Sequence, residues 1–187
     1  MRGIIGAVAF AVAIASAAVA QPIAAERFPK PSRPVASIIS DQWASEDTRE
    51  RLGEAATVLR LLGVRAGMSV ADIGAGSGYY TVRLAARVGP SGRVYAEDIM
   101  PEYLAGLRRR VTTEGIGNVT MVLGAVHDAQ LPPASVDLAL LVHMYHEICQ
   151  PFGLLTNLLP ALRPGARVAI VDANRDTLRH GTPPARR

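Results

Sequence analysis

Cysteine is nearly absent: Cys149 is the only one in 187 residues. No intrachain disulfide can form, so the fold must be held by its hydrophobic core, in either redox compartment. Strong charge of one sign is lacking too. The formal net charge is +4, which favours solubility and encounter with anionic partners but gives no nucleic-acid signature. The run Arg108-Arg109-Arg110 falls inside a predicted helix and reads as a solvated face whose aliphatic stems pack down. No internal repeat is present. The length suits one domain with a full core rather than two.

Charge is missing altogether from Gly3 to Ala25. Arg2 precedes this run as a positive n-region, and Ala18-Val19-Ala20 supplies an A-x-A cleavage site before Gln21. The pattern predicts a secretory signal peptide over residues 1–20, with export to the periplasm after cleavage. The membrane is then met only transiently, through the leader. The alternative is an uncleaved anchor, since the run is long enough to span a bilayer. Loss of Arg2 with the leader would lower the net charge to +3. Residues 21–45 hold Pro22, Pro29, Pro31 and Pro34 and read as an extended linker or arm over the surface.

From residue 46 to 187 the pattern is that of one domain. Ser45 is a plausible N-cap for a helix over 46–62 with apolar positions at Leu52, Ala55, Ala56, Leu59 and Leu62, stopped by Gly63. Strands are predicted over 69–73, 93–98, 119–123, 136–142 and 167–172. Helices are predicted over 79–88, 101–114 and 151–162. The second, fourth and fifth strands are continuous apolar runs, which fits burial on both faces. Strand alternating with helix implies right-handed βαβ units and a parallel sheet, an α/β three-layer domain.

The first strand runs into Asp72-Ile73-Gly74-Ala75-Gly76-Ser77-Gly78. Ligands of open parallel sheets bind outside the carboxyl ends of the strands. Glycine there lets a ligand touch the main chain, and the following helix aims free amides at the same place. Two ligand classes compete. A dinucleotide motif needs glycine at position 79, where this chain has Tyr79. Asp72 would repel a pyrophosphate but favour a ligand ammonium. Asp98, 20 residues after Gly78, can accept from both ribose hydroxyls, a feature both classes share.

VADIGAGSGYY, VYAEDIMP and GAVHDAQLPPASVDLALL together resemble the Rossmann-like, class I S-adenosylmethionine-dependent methyltransferases, over roughly Leu61 to Asp172. The V-H-M-Y-H-E segment is also similar to that of exported bacterial methyltransferase-like proteins. The resemblance implies strand order 3-2-1-4-5 and S-adenosylmethionine as cofactor. It implies that Gly74, Ala75, Gly76 and Gly78 carry the methionine part and ribose, with Asp72 near the amino group. Asp98 would hold the ribose hydroxyls and Ile99 would pack on the adenine. His127 and Asp128 would meet the adenine edge, and Leu141 would face the methyl group.

His143-Met144-Tyr145-His146-Glu147 is the densest polar cluster and follows the fourth strand, where this superfamily meets the methyl acceptor. His143 or His146 suits a base near neutral pH, with Tyr80 lining the mouth. The bland readings are a strand cap for His143 and a solvated helix turn for His146 and Glu147. The segment is not H-E-x-x-H and no third ligand is identifiable, so no metal is expected. Cys149 is expected to be a small buried hydrophobe. The chain departs from the family pattern in leaving no room after strand five for the usual β6/β7 hairpin. Strand five is therefore expected to be an apolar edge that invites self-association. The reading is a methyltransferase acting on a small-molecule acceptor, against the alternative of a non-catalytic exported protein that keeps the fold.

Overall fold

The computed structural model of the protein describes residues 23–172. The predicted leader and the residues after Asp172 lie outside the described residues. Five strands form one parallel sheet in the order β3-β2-β1-β4-β5: β1 is Ser69–Ile73, β2 Arg93–Asp98, β3 Val119–Leu123, β4 Val136–Val142 and β5 Leu162–Val171. The helices are α1 Glu46–Arg51, α2 Glu54–Leu61, α3 Tyr79–Val88, α4 Pro101–Thr113 and α5 Pro151–Leu158. The expected three-layer Rossmann-like fold and strand order are found.

Side-chain alternation along the strands divides the core between two layers. Val70, Val94, Leu138 and Leu140 pack against α2 and α3, on Ala55, Leu59, Leu84 and Val88. Ala96 carries the same face on to Leu107 and Val111 of α4. Ala71, Ile73, Ala139 and Leu141 point the other way, onto Leu154 and Leu158 of α5. Gly78 marks where α3 begins: it is left-handed at φ 87°, and a Cβ there would overlap the side chain of Leu107. Its lack of a side chain therefore lets α3 start against α4.

Three expectations need correction. The helix predicted over 46–62 is two helices, because Gly53 turns left-handed at φ 60° between them. Its apolar spacing persists across the break, which hid the break. The fifth strand begins at Leu162, not 167, and is not buried on both faces. Val168 and Ile170 are 38% and 44% exposed, since β5 pairs only with β4 among the described residues. Cys149 is exposed, not buried; it sits in the connection between β4 and α5, outside the core.

Leu138 is fully buried in the central sheet, so Leu138→Ala should cost about 2–5 kcal/mol in urea unfolding through the cavity it leaves. Exposed Leu52 sets the contrast: Leu52→Ala should stay within about 0.5 kcal/mol.

Candidate active site

The parallel register brings the chemistry to one edge. Ile73 pairs with Glu97 on one side and Leu141 on the other, so the ends of β1, β2 and β4 lie flush. The chain then turns over that edge. Ala75 N–H donates to the Glu97 carbonyl (2.8 Å) and Gly124 N–H to the Asp98 carbonyl (3.1 Å), which ties the glycine loop and the loop after β3 to β2. Gly76 N–H donates to Asp98 Oδ2 (2.9 Å), and Met100 N–H donates to Asp98 Oδ1 (2.9 Å). A carboxylate offers about four acceptor positions, so Asp98 keeps acceptor capacity for further donors.

Carboxyl groups crowd this edge. Asp72 is 3% exposed and Glu97 2%, with Asp98 and Asp128 also buried. Burial pushes Asp72 up to about 6; the Thr81 hydroxyl, donating to Oδ2 at 2.6 Å, opposes this and the Asp98 charge adds to it. Burial also holds Glu97 well above the usual carboxylate range, reinforced by Asp98, Asp72 and Asp128 and opposed by the Gly74 amide. Burial raises Asp98 in turn, against the amides of Met100, Gly76 and Ile99. Glycine at 124 is needed here because a Cβ would overlap the Glu97 carboxyl. Acids that raise one another in this way are relieved by a cationic, donor-rich ligand and worsened by an anionic one.

Residues 23–43 run across this edge. Ile23 exchanges two hydrogen bonds with the Asn157 side chain on α5, both 2.9 Å. Arg33 donates to the carbonyls of Tyr145 (2.6 Å), His146 (3.1 Å) and Ile148 (3.2 Å), with its guanidinium 4.8 Å from the centre of the Tyr145 ring. Ala36 N–H donates to the His146 carbonyl (3.0 Å), and the Asp41 carbonyl accepts from Ser77 N–H (2.8 Å). The arm therefore lies against the glycine loop: a Cβ at Gly76 would overlap the Asp41 carbonyl oxygen, and one at Gly74 would come 2.9 Å from Met144 Cε. The bare main chain serves a close approach, and in this structure Asp41 and Met144 make it.

His143 ends β4 with φ 55°, an uncommon backbone for a residue with a side chain. Its N–H donates to the Val171 carbonyl at 2.8 Å, so the strand-cap reading describes its backbone. Its ring stacks on Trp43 of the arm, centroids 4.0 Å apart and 9° from parallel. Among the described residues Nδ1 has no hydrogen-bond partner, and Nε2 faces Glu54 Oε1 at 3.3 Å. Glu54 Oε1 also accepts from Tyr80 Oη (3.0 Å) and Arg49 Nη2 (2.6 Å). Burial alone would raise Glu54; His143 and Arg49 overcome it and hold the carboxyl at about 2. Burial, with Glu54 beside it, raises the Tyr80 phenol.

The structure thus gathers Asp72, Gly74, Ala75, Gly76, Asp98 and Leu141 at one edge, with Ile99 half-buried where β2 ends. His143 and Tyr80 meet through Glu54. His146 stands apart from them, its Nδ1 3.0 Å from both Asp172 oxygens. Asp128 Oδ1 accepts from Gln130 N–H (2.9 Å). The His127 carbonyl accepts from Asn157 on α5, and the Cβ of His127 lies beside Gly153. Among the described residues no group of three or more His, Cys, Asp and Glu is placed to hold a metal ion. Arg33, Asp41, Trp43, Arg49 and Glu54 were not foreseen. Of the unforeseen features only Glu97 left a local trace, as a second acid closing an otherwise apolar strand.

A family model described as Methyltransferase domain matches residues 65–182. An uncharacterized 37.1 kDa protein in a transposon of Streptomyces fradiae is 33% identical over 74% of this chain and 39% of its own length. A protein-L-isoaspartate O-methyltransferase of Methanothrix thermoacetophila is 34% identical over 59% of this chain and 50% of its own. A ubiquinone/menaquinone biosynthesis C-methyltransferase of Hahella chejuensis is 31% identical over 62% of this chain and 47% of its own. This chain spans half or less of the length of these curated relatives. Among solved structures, a SAM-dependent methyltransferase from Aquifex aeolicus superposes with TM-score 0.63 at 29% identity, covering 75% of this chain and 79% of that one.

Asp72, raised to about 6, stabilises the fold in its neutral form. That contribution is complete below pH about 4 and is lost as pH rises through about 6. Asp72→Asn should therefore gain stability relative to wild type between pH 4 and pH 8, by about 3 kcal/mol, in paired urea titrations.

Proposed function

This chain belongs to the Methyltransferase domain family, and on that premise we propose that it binds S-adenosylmethionine at the carboxyl edge of β1 and β2 and transfers its methyl group to a small-molecule acceptor. The observation that carries this reading is the convergence of Asp72, Glu97, Asp98 and Asp128 beside a loop with glycine at 74, 76 and 78. The cofactor is cationic at sulfur and at its amino group and presents hydroxyl and amine donors elsewhere, which complements crowded carboxyls. When bound it supplies an electrophilic methyl group. A pyrophosphate ligand would meet the same acids as repulsion.

The residues fit this ligand in chemistry and place. Asp98 has acceptor sites left for the ribose hydroxyls, and Gly74 and Gly76 accept close approach. Asp72 would meet the amino group, and Asp128 would accept from the adenine amine. Leu141, expected to face the methyl group, is fully buried in the layer against α5 and so would act as packing behind the site. Asp41 and Met144 occupy the surface of the loop, so the arm must give way for the ligand to lie on it. The Ser77 amide that the Asp41 carbonyl takes then becomes free for a ligand oxygen. Methyl transfer needs two centres held in near-attack geometry, and the arm, His143 and Met144 surround the place where an acceptor would enter.

Calorimetry of the protein with S-adenosylhomocysteine should show binding, and none with NAD. Asp98→Ala should weaken it by about 1–3 kcal/mol. An unchanged affinity would remove Asp98 from the ribose site, and no binding of the nucleoside would favour a non-catalytic use of the fold.

Export belongs to the same reading. It is supported by the uncharged run from Gly3 to Ala25 after Arg2 and by the Ala18-Val19-Ala20 sequence. Self-association is supported by the apolar edge of β5, which has β4 as its one partner strand among the described residues. Expression in a bacterial host should place the protein in the periplasmic fraction with Gln21 as its first residue. Recovery in the cytoplasm with Met1 intact would refute export.

A further inference from the structure

The constellation around His143 goes beyond cofactor binding. Both ring nitrogens are buried, and among the described residues Nδ1 has no hydrogen-bond partner, an expensive state for a polar group unless it has another use. Its backbone is left-handed at φ 55°, a strain that persists only where surroundings hold it and that gathers at functional sites. The surroundings are specific. Val171 of β5 fixes the backbone, Trp43 covers one ring face, and Glu54 of α2 faces Nε2 at 3.3 Å. The charged and titratable groups on this side are Glu54 and, behind it, Arg49 of α1 and Tyr80 of α3. Both of these direct their hydrogen-bond donors to the Glu54 carboxyl, which keeps it ionised and in place.

We propose that Glu54 is the positioning residue for His143, holding the ring with its proton on Nε2 so that Nδ1 is the base that takes a proton from the methyl acceptor. The inference rests on the methyl-transfer reading. In that step the proton of an acceptor X–H passes to Nδ1. The freed pair on X forms the bond to the methyl carbon, and the carbon–sulfur pair returns to sulfur, leaving a neutral thioether. The imidazolium formed is balanced by the Glu54 carboxylate across 3.3 Å and by the face of Trp43. The acceptor class follows: one that surrenders a proton from oxygen, nitrogen or acidic carbon on methylation. His146, paired to Asp172, has no part in this step.

Two spectroscopic measurements on the full chain test the assignment without a methyl acceptor. Long-range nitrogen correlation spectra of histidine-labelled protein should show neutral His143 in the Nε2–H form. Glu54→Ala should convert it to a mixture of tautomers. An unchanged tautomer in Glu54→Ala would overturn the proposal. The second measurement follows the Glu54 carboxyl by carbon NMR, and leaves α2 intact should Glu54→Ala fail to fold. His143→Gln should move the Glu54 titration upward from about 2 by roughly one unit or more. A midpoint that stays put would mean that Arg49 alone holds the carboxylate, and the pairing would fall. Binding of S-adenosylhomocysteine by wild-type protein reports separately on the cofactor site, so the two readings fail independently.

Discussion

The site depends on the alignment of three parallel strands. With Ile73 level with both Glu97 and Leu141, the chain leaves β1, β2 and β4 at the same height. Every turn that follows must then share one strip of surface. The Ala75-to-Glu97 and Gly124-to-Asp98 main-chain bonds fasten those turns to β2. A register slip of one residue would send alternate side chains to the opposite face. Asp72 and Asp98 would no longer be neighbours, and the two core layers would exchange their linings.

Crowding acids at that strip makes the free protein less stable than it need be, and this fits a site built for a ligand of opposite character. The burial of Glu97 against Gly124 shows how closely the strip is packed. All four acids there are buried, and no salt bridge to a basic side chain is made by Asp72, Glu97, Asp98 or Asp128 among the described residues. Around the mouth the pattern reverses, with carboxylates paired to arginines: Glu54 to Arg49, Glu46 to Arg83 and Arg110, Glu50 to Arg83. The framework is neutralised, whereas the acids at the strand ends oppose one another.

Much of this was legible in the sequence because it is local. Four of the five strands and the helices α3 and α4 follow from apolar runs punctuated by Gly89-Pro90, Gly115 and Pro101. The glycine loop and the acid closing β2 are contiguous motifs. What escaped is what folding brings from far away. Trp43 meets His143, Arg33 meets Tyr145 and Glu54 meets His143 across some hundred residues, and no periodicity marks such pairs. The break at Gly53 escaped for the opposite reason: the spacing of Leu52, Ala55, Leu59 and Leu62 runs through it in the sequence, although Leu52 is exposed and α1 itself carries no apolar residue. The exposure of β5 and of Cys149 could not be read from hydrophobicity, because burial is a property of what lies opposite.

Arg33 has a consequence for how the molecule assembles. Three carbonyls of the turn after β4 find their donor in one guanidinium that arrives from more than a hundred residues upstream. Until the arm docks, the turn is held by its own Glu147-to-Met144 and Ile148-to-Tyr145 main-chain bonds and by Asp172 at the His146 amide, and it lacks the guanidinium that ties its carbonyls together. Closing so wide a loop is slow and entropically costly compared with pairing neighbouring strands. The sheet and its helices are thus expected to be in place before the mouth acquires its shape, with docking of the arm as the final step of maturation.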